Sequence, residues 1–296
     1  MKIYRARHGG FCFGVKRAIK MALEASKRAD RVYSLGPLIH NRVAVEDLRQ
    51  KGIRPIEKIG SIKNNEVVII RSHGVTPDVL KNLESRRSEI IDATCPRVRR
   101  AQRYVQRLIN EGYYVVIVGE KDHPEVKGLL GYGAGHATIY KDGVKIGKKK
   151  IGVVPQTTLN QERFNDAVAD MMSDVIEMKI YNTICRETAL RINEATRLAK
   201  KADIMIVVGG KNSANTTRLY QICRKLRRSY HIESAEELKR SWFRSVKSVG
   251  ITAGASTPKA QVDEVVKKIR QMFPAGKRRR GEPGTGRTGK GLRTRC

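Results

Sequence analysis

The stretch from Asp92 to Val126, DATCPRVRRAQRYVQRLINEGYYVVIVGEKDHPEV, decides the fold. At its centre Tyr114 to Val118 is a short β-branched run without a polar break, as expected of a strand buried on both faces of a parallel sheet. Ahead of it, Val98, Ala101, Val105, Leu108 and Ile109 recur at helical spacing, so the residues after Cys95 form an amphipathic helix. Behind it comes a polar loop carrying His123 and Glu125. Helix, buried strand and polar loop in succession is the alternation of an α/β protein.

The same reading extends in both directions. Val67 to Ile70, Ile151 to Val154, Ile204 to Val208 and Val249 to Thr252 are further buried strands. After Cys12, Val15, Ala18, Ile19, Ala22 and Leu23 trace a helical stripe. After Cys185, Ala189, Ala195, Leu198 and Ala199 trace a weaker one. Each of these cysteines therefore precedes a helix, and the gaps between them are 83 and 90 residues. The near-equality predicts three similar α/β domains contributing one thiolate apiece: 1–94 with Cys12, 95–182 with Cys95 and 183–273 with Cys185. From 274 to 296 the chain turns to Gly, Arg, Lys and Thr and is expected to be a disordered basic tail. The P-loop-like Gly284, Gly289 and Lys290 there lack the strand and helix that give that motif a mechanism.

Composition narrows the function classes. A chain of 296 residues, 40% hydrophobic, suits several small cores, and no run approaches the ~20 apolar residues of a membrane span. No signal peptide is readable at the start, so the expected location is cytoplasmic. Five cysteines without an export signal favour metal binding or catalysis over disulfides. The net charge is +31, of which the segment from Lys277 contributes eight Lys/Arg against one acid. Such a field attracts nucleic acid, phosphorylated metabolites or acidic proteins. A nucleic-acid-binding protein with a structural metal site is the rival reading. Against it, only 5% of residues are aromatic and no zinc-finger spacing occurs.

Three cysteines in equivalent positions before helices are candidate metal ligands, because helix N-termini and nearby cations favour the thiolate. The residues leave open whether they hold zinc with a histidine or a cubane cluster with one open iron. Cys223 falls on an apolar stripe with Leu219, Ile222 and Leu226 and reads as buried; Cys296 ends the tail. His40, His73 and His123 lie in strand-end loops, where open α/β sheets bind their ligands. Other strand-end loops offer hydroxyl and amide donors, with Thr157, Ser213, Asn215 and Ser256 as candidate anion contacts. Glu125 is the carboxylate within a histidine loop, a candidate proton donor if its pocket is apolar.

Taken in order, GFCFGVKRAI, GPLIHN, RSHGV, DATCP, GEKDHPEV, QTTLN, NTIC, GGKNSANTTRL and GITAGAS resemble the 4-hydroxy-3-methylbut-2-enyl diphosphate reductase family, over residues from about 3 to 273. The resemblance implies a cloverleaf of three α/β domains around a central 4Fe-4S cluster held by Cys12, Cys95 and Cys185, with one iron open. It implies substrate contacts from His40, His73, His123, Thr157, Ser213, Asn215 and Ser256. It also implies proton delivery by Glu125 with Thr157. The implied reaction is a two-electron, two-proton dehydroxylation of an allylic diphosphate in non-mevalonate isoprenoid synthesis. An acidic electron donor such as ferredoxin or flavodoxin would suit so basic a surface, and the tail would add nonspecific polyanion binding. The chain departs from the family pattern at Ala214, where a second serine is common, and at Arg186 and Glu187 beside the third cysteine. Arginines 97, 99 and 100 crowd the second, and an inactive homologue is a further alternative.

Overall fold

The computed structural model describes residues 1–274. Within them, twelve strands form three four-stranded sheets, every pairing parallel. The N-terminal strand is β1 (Lys2–Arg5). One sheet holds β2 (Val32–Leu35), β3 (Ile53–Ile56), β4 (Val67–Ile70) and β5 (Glu89–Asp92) in the order β3-β2-β4-β5. The next holds β6 (Tyr114–Val118), β7 (Ala137–Ile139), β8 (Lys150–Pro155) and β9 (Glu177–Ile180) in the order β7-β6-β8-β9. The third holds β10 (Ile204–Val208), β11 (Ser229–Ile232) and β12 (Ser248–Ala253) in the order β11-β10-β12, and its fourth place, beside β12, is filled by β1.

The three sheets thus share one topology, and the chain closes into a ring through its first strand. This corrects the expected extent of the first unit, 1–94. Residues 2–5 pair in register with 248–251, so the N-terminus belongs to the last sheet. A four-residue strand with exposed ends carries no local mark of which sheet it will join.

Parallel sheets need cover on both faces, and each sheet here has a separate apolar cluster on either side. The helices supplying that cover are α1 (Phe13–Ala25), α2 (Arg42–Gln50), α3 (Pro77–Ser85), α4 (Pro96–Asn110), α5 (Pro124–Tyr132), α6 (Gln161–Met172), α7 (Arg186–Lys201), α8 (Ala214–Leu226) and α9 (Lys259–Met272). Three of them cross between units. Helix α1 leaves the β1 sheet and buries Val15, Ala18 and Ala22 against Val32 and Ile69 of the β2 sheet. Helix α4 leaves β5 and buries Ala101, Val105 and Leu108 against Val115, Ile117 and Val154. Burying Val105 and Leu108 contributes roughly 1.5–3 kcal/mol each, and the fit is close: a Cβ on Gly152 would stand 2.6 Å from the Leu108 methyls. Helix α7 leaves β9 and buries Ala195, Leu198 and Ala199 against Met205 and Val207.

Two stripes differ from expectation. Ala189 is exposed, and the inner face of α7 begins instead with Thr188, Arg191 and Glu194. Leu226 is also exposed, although Cys223 beside it is fully buried. Among the described residues no helix is long and apolar enough to cross a membrane. The expected tail lies, except for its first residue, outside the described residues, as does Cys296.

Candidate functional site

Parallel strands direct all their carboxyl ends to one edge of a sheet, and ligands gather there. In this fold the three edges converge on one cavity of about 490 Å³. The ring topology decides which strand supplies what. The first strand of each sheet, β2, β6 or β10, leads to His40, His123 or Ser213. The third, β4, β8 or β12, leads to His73, Thr157 or Ser256. The outer strands β5, β9 and β1 lead to Cys95, Cys185 and Cys12. All of these, with Glu125 and Asn215, line the cavity, so every residue singled out as a ligand or contact reaches it.

The cysteines occupy equivalent positions. Each is the residue before a crossing helix, and none uses its thiol to cap that helix. Each donates its backbone N–H to a carbonyl in the loop after the neighbouring third strand: Cys12 to Ala255 at 3.1 Å, Cys95 to Ser72 at 3.0 Å and Cys185 to Thr157 at 2.7 Å. The thiols are partly exposed to the cavity and unlinked. Gly14 lets the first turns of α1 and α4 meet: a Cβ there would stand 2.7 Å from the Cys95 sulfur. Burial pushes the Cys95 thiol pKa up; the amides of Arg97 and Val98 oppose this, and the thiols of Cys12 and Cys185 add to it.

The same cavity is lined by a histidine cluster, with ring centroids 4.9 Å apart for His40 and His73, 5.4 Å for His73 and His123, and 6.5 Å for His40 and His123. Burial and the neighbouring Arg71 guanidinium lower the pKa of His40, and the same causes bring His123 to about 4, with the charge of His40 contributing there. His73 is lowered most, by burial first and then by His40, Arg71 and His123. All three are therefore neutral at pH 7. The His123 Nδ1 accepts the Glu125 N–H at 3.2 Å, which leaves Nε2 protonated and able to donate. The His73 Nδ1 and the Asn215 Nδ2 are buried without partners, and buried polar atoms in a folded protein are normally paired. Asn215 lies in the first turn of α8, which Ser213 caps by accepting the Thr216 N–H, so a helix N-terminus also faces the cavity.

Glu125, only 1% exposed, accepts the Thr157 N–H on Oε1 at 2.6 Å and the Thr157 hydroxyl on Oε2 at 2.8 Å. Burial outweighs both bonds and raises its pKa to about 7. The pair is a carboxyl that can be loaded with a proton near neutrality, joined to a hydroxyl at the cavity wall.

Two cations were not among the expected site residues. Arg191 lines the cavity, 3% exposed, and donates to the Ala253 carbonyl at 2.8 Å. Arg71 stands behind the histidines with its Nε buried and unpartnered. Arg71 sits inside the RSHGV motif, two residues before His73. Arg191 interrupts an apolar stripe, and that interruption was its only signal. Of the unusual residues, Ala214 and Glu187 line the cavity and Arg186 does not; Glu187 faces His8, 3.9 Å away.

The chain is similar to known proteins over nearly its whole length. It is 46% identical over 277 residues to the 4-hydroxy-3-methylbut-2-enyl diphosphate reductase of Geobacter sulfurreducens, covering 92% of this chain and 98% of that one. It is 45% identical over 278 residues to the enzyme of the same name from Syntrophotalea carbinolica, covering 92% and 99%. A solved structure of (E)-4-hydroxy-3-methyl-but-2-enyl diphosphate reductase, described as the terminal enzyme of the non-mevalonate pathway, matches with a TM-score of 0.71 at 44% identity, covering 92% of this chain and all of that one. The E-1-hydroxy-2-methyl-but-2-enyl-4-diphosphate reductase of Plasmodium falciparum matches with a TM-score of 0.86 at 25% identity, covering 91% and 88%. The family model described as LytB protein fits residues 3–270, and with these relatives it shows that the chain belongs to the LytB protein family.

Proposed function

We propose that this chain reduces 4-hydroxy-3-methylbut-2-enyl diphosphate, removing its hydroxyl as water with two electrons and two protons to give isopentenyl and dimethylallyl diphosphates. The observation that carries the reading is the meeting, in one cavity, of three free cysteines from three sheets and a buried carboxyl–hydroxyl pair. The relatives' names agree with it.

Cys12, Cys95 and Cys185 would hold a 4Fe-4S cluster, leaving one iron without a protein ligand. The donor set fits, since three thiols from helix starts share one cavity without capping or disulfide partners. The space left by Gly14 beside the Cys95 sulfur fits as well. When bound, the cluster would supply single-electron reduction and a Lewis acid for the departing hydroxyl.

The remaining work falls to this chain's own side chains. Neutral His40, His73 and His123 donate N–H bonds to the diphosphate, backed by the Arg71 charge. The unpartnered Asn215 amide, Ser213, Ser256 and the α8 N-terminus complete the grip. That grip fixes the allylic end of the substrate toward the sulfur side of the cavity. Protonated Glu125 passes its proton to the Thr157 hydroxyl, which gives its own to the leaving oxygen. Glu125 reloads from water.

The test is anaerobic purification followed by iron, sulfide and zinc analysis and turnover with reduced methyl viologen. Cys12→Ser, Cys95→Ser and Cys185→Ser should each lose iron and turnover, because a hydroxyl is a far poorer iron ligand than a thiolate. Cys223→Ser should retain both. Equal iron in all four variants, or zinc in the wild type, would overturn the assignment.

A further inference from the structure

A single exposed apolar side chain needs no explanation, but one that adjoins an apolar groove with a charged rim marks a candidate interaction site. Phe13 is 62% exposed and is the only aromatic among the exposed large hydrophobics of the described residues. It immediately follows Cys12 at the first position of α1. On a helix its neighbours are the residues three, four and seven ahead, here Lys16, Arg17 and Lys20. A shallow groove of about 390 Å³ runs on along the same helix, floored by Phe11, Ile19 and Leu23 and edged by lysines. Its one acid, Glu24, stands 3.7 Å from Lys20 and is offset by it.

This face is joined to the second cysteine. Arg17 donates to the Thr94 carbonyl at 3.2 Å, and Gly14 abuts the Cys95 sulfur, so the first turns of α1 and α4 lie side by side. The first turn of α4 contains no acid and exposes Arg99 and Arg100, of which Arg99 pairs with Asp92. An apolar centre within a basic rim therefore lies over the backbone of two of the three cysteines.

Resting on the reductase reading above, we propose that this face of α1 is the docking surface for a small acidic one-electron carrier protein. The apolar centre and charged rim are the anatomy of a specific protein interface. The basic rim selects an acidic partner and speeds its arrival. The reaction consumes two electrons that this chain does not store. Two successive encounters, each oxidising one carrier by one electron, supply them, while two protons are taken up and the hydroxyl leaves as water. A partner that must arrive and depart twice per turnover fits a small apolar centre with a steering rim better than a large dry interface.

The experiment uses anaerobically prepared holoenzyme, wild type, Phe13→Ser and the double variant Lys16→Glu/Lys20→Glu. Turnover is measured with reduced ferredoxin and separately with reduced methyl viologen, at low and high salt. Binding of oxidised ferredoxin is titrated in parallel. The expected result is a tenfold or larger rise in KM and Kd for ferredoxin in both variants, with the salt dependence flattened in the charge variant. Iron content and viologen turnover should stay within twofold of wild type. Unchanged ferredoxin kinetics and binding would overturn the proposal. So would a parallel loss with both donors, or an effect confined to binding of a single-stranded oligonucleotide. Absence of wild-type turnover with viologen would instead sink the reductase reading, and it is visible before any variant is compared.

Discussion

Replacing Glu125 by Gln separates proton delivery from everything else the site does. The side chain is buried, and its oxygens hold the Thr157 N–H and hydroxyl at 2.6 and 2.8 Å. Gln retains the acceptor for the N–H and can donate its amide to the Thr157 oxygen, so the local geometry survives while the exchangeable proton is lost. A rise in pKa from 4.5 to about 7 corresponds to roughly 3 kcal/mol favouring the protonated form. The folded state therefore binds this proton between pH 4.5 and about 7 where the unfolded chain has released it. The stability associated with that proton is complete below pH 4.5 and is lost as pH rises through about 7. Glu125→Gln escapes the loss, so at pH 8 its melting temperature should equal or exceed that of the wild type. Turnover should fall by about 10² to 10⁴, the usual contribution of a positioned acid. In the wild type kcat/KM should decline above pH 7, where Glu125 has released its proton, and that descending limb should vanish in the variant. The measurements are anaerobic turnover with reduced methyl viologen from pH 6 to 9, iron content, and thermal melts at pH 5 and 8. Near-normal turnover with full iron content, or the same descending limb in Glu125→Gln, would refute the reasoning and return the proton to a histidine or to water.

Gly14→Ala should lower iron loading and turnover, because its methyl would stand 2.7 Å from the Cys95 sulfur. Helix propensity alone would stabilise the change by about 1 kcal/mol, so an apoprotein melt that does not fall, beside a loss of iron, identifies crowding at the sulfur as the cause. Deleting residues 277–296 should leave viologen turnover within twofold while weakening heparin binding at low salt, since a net charge of +7 leaves with them. Equal heparin elution for both forms would assign polyanion binding to the body.

How much of this was legible in the sequence depended on burial. Tyr114–Val118, Val67–Ile70 and Ile204–Val208 are strands end to end as read, because central parallel strands must be apolar on both faces. Edge strands escape that requirement. Glu89–Asp92 and Glu177–Ile180 both begin with an exposed glutamate, and β2, although internal, is interrupted by Ser34, whose hydroxyl bonds the Gly36 carbonyl. The cysteines could be found because each precedes a helical stripe at near-equal spacing along the chain, and His73 and His123 because each follows an apolar strand at the distance of a short loop. Arg71 and Arg191 could not, because arginine is ordinarily a surface residue and only its tertiary surroundings reveal a buried one. The affiliation of β1 was beyond local reading, as its partners lie at the far end of the described chain.

That affiliation is also what makes the site possible. Each cysteine sits where the chain leaves one sheet and starts a helix that packs on the next, with its N–H anchored in the sheet it is leaving. The position of each sulfur is therefore set jointly by two sheets. Two hand-overs would define only two such sulfurs; the third, Cys12, exists as an equivalent because β1 completes the last sheet and α1 then crosses to the first. Any shift of one sheet against another must change the separation of sulfurs. A metal centre bound to all three would resist such shifts and so stabilise the arrangement of the sheets. Within a sheet its effect should be small, because each sheet already has an apolar cluster on both faces. Loss of the centre should accordingly loosen the contacts between sheets, and with them the cavity, before it unfolds any one of them.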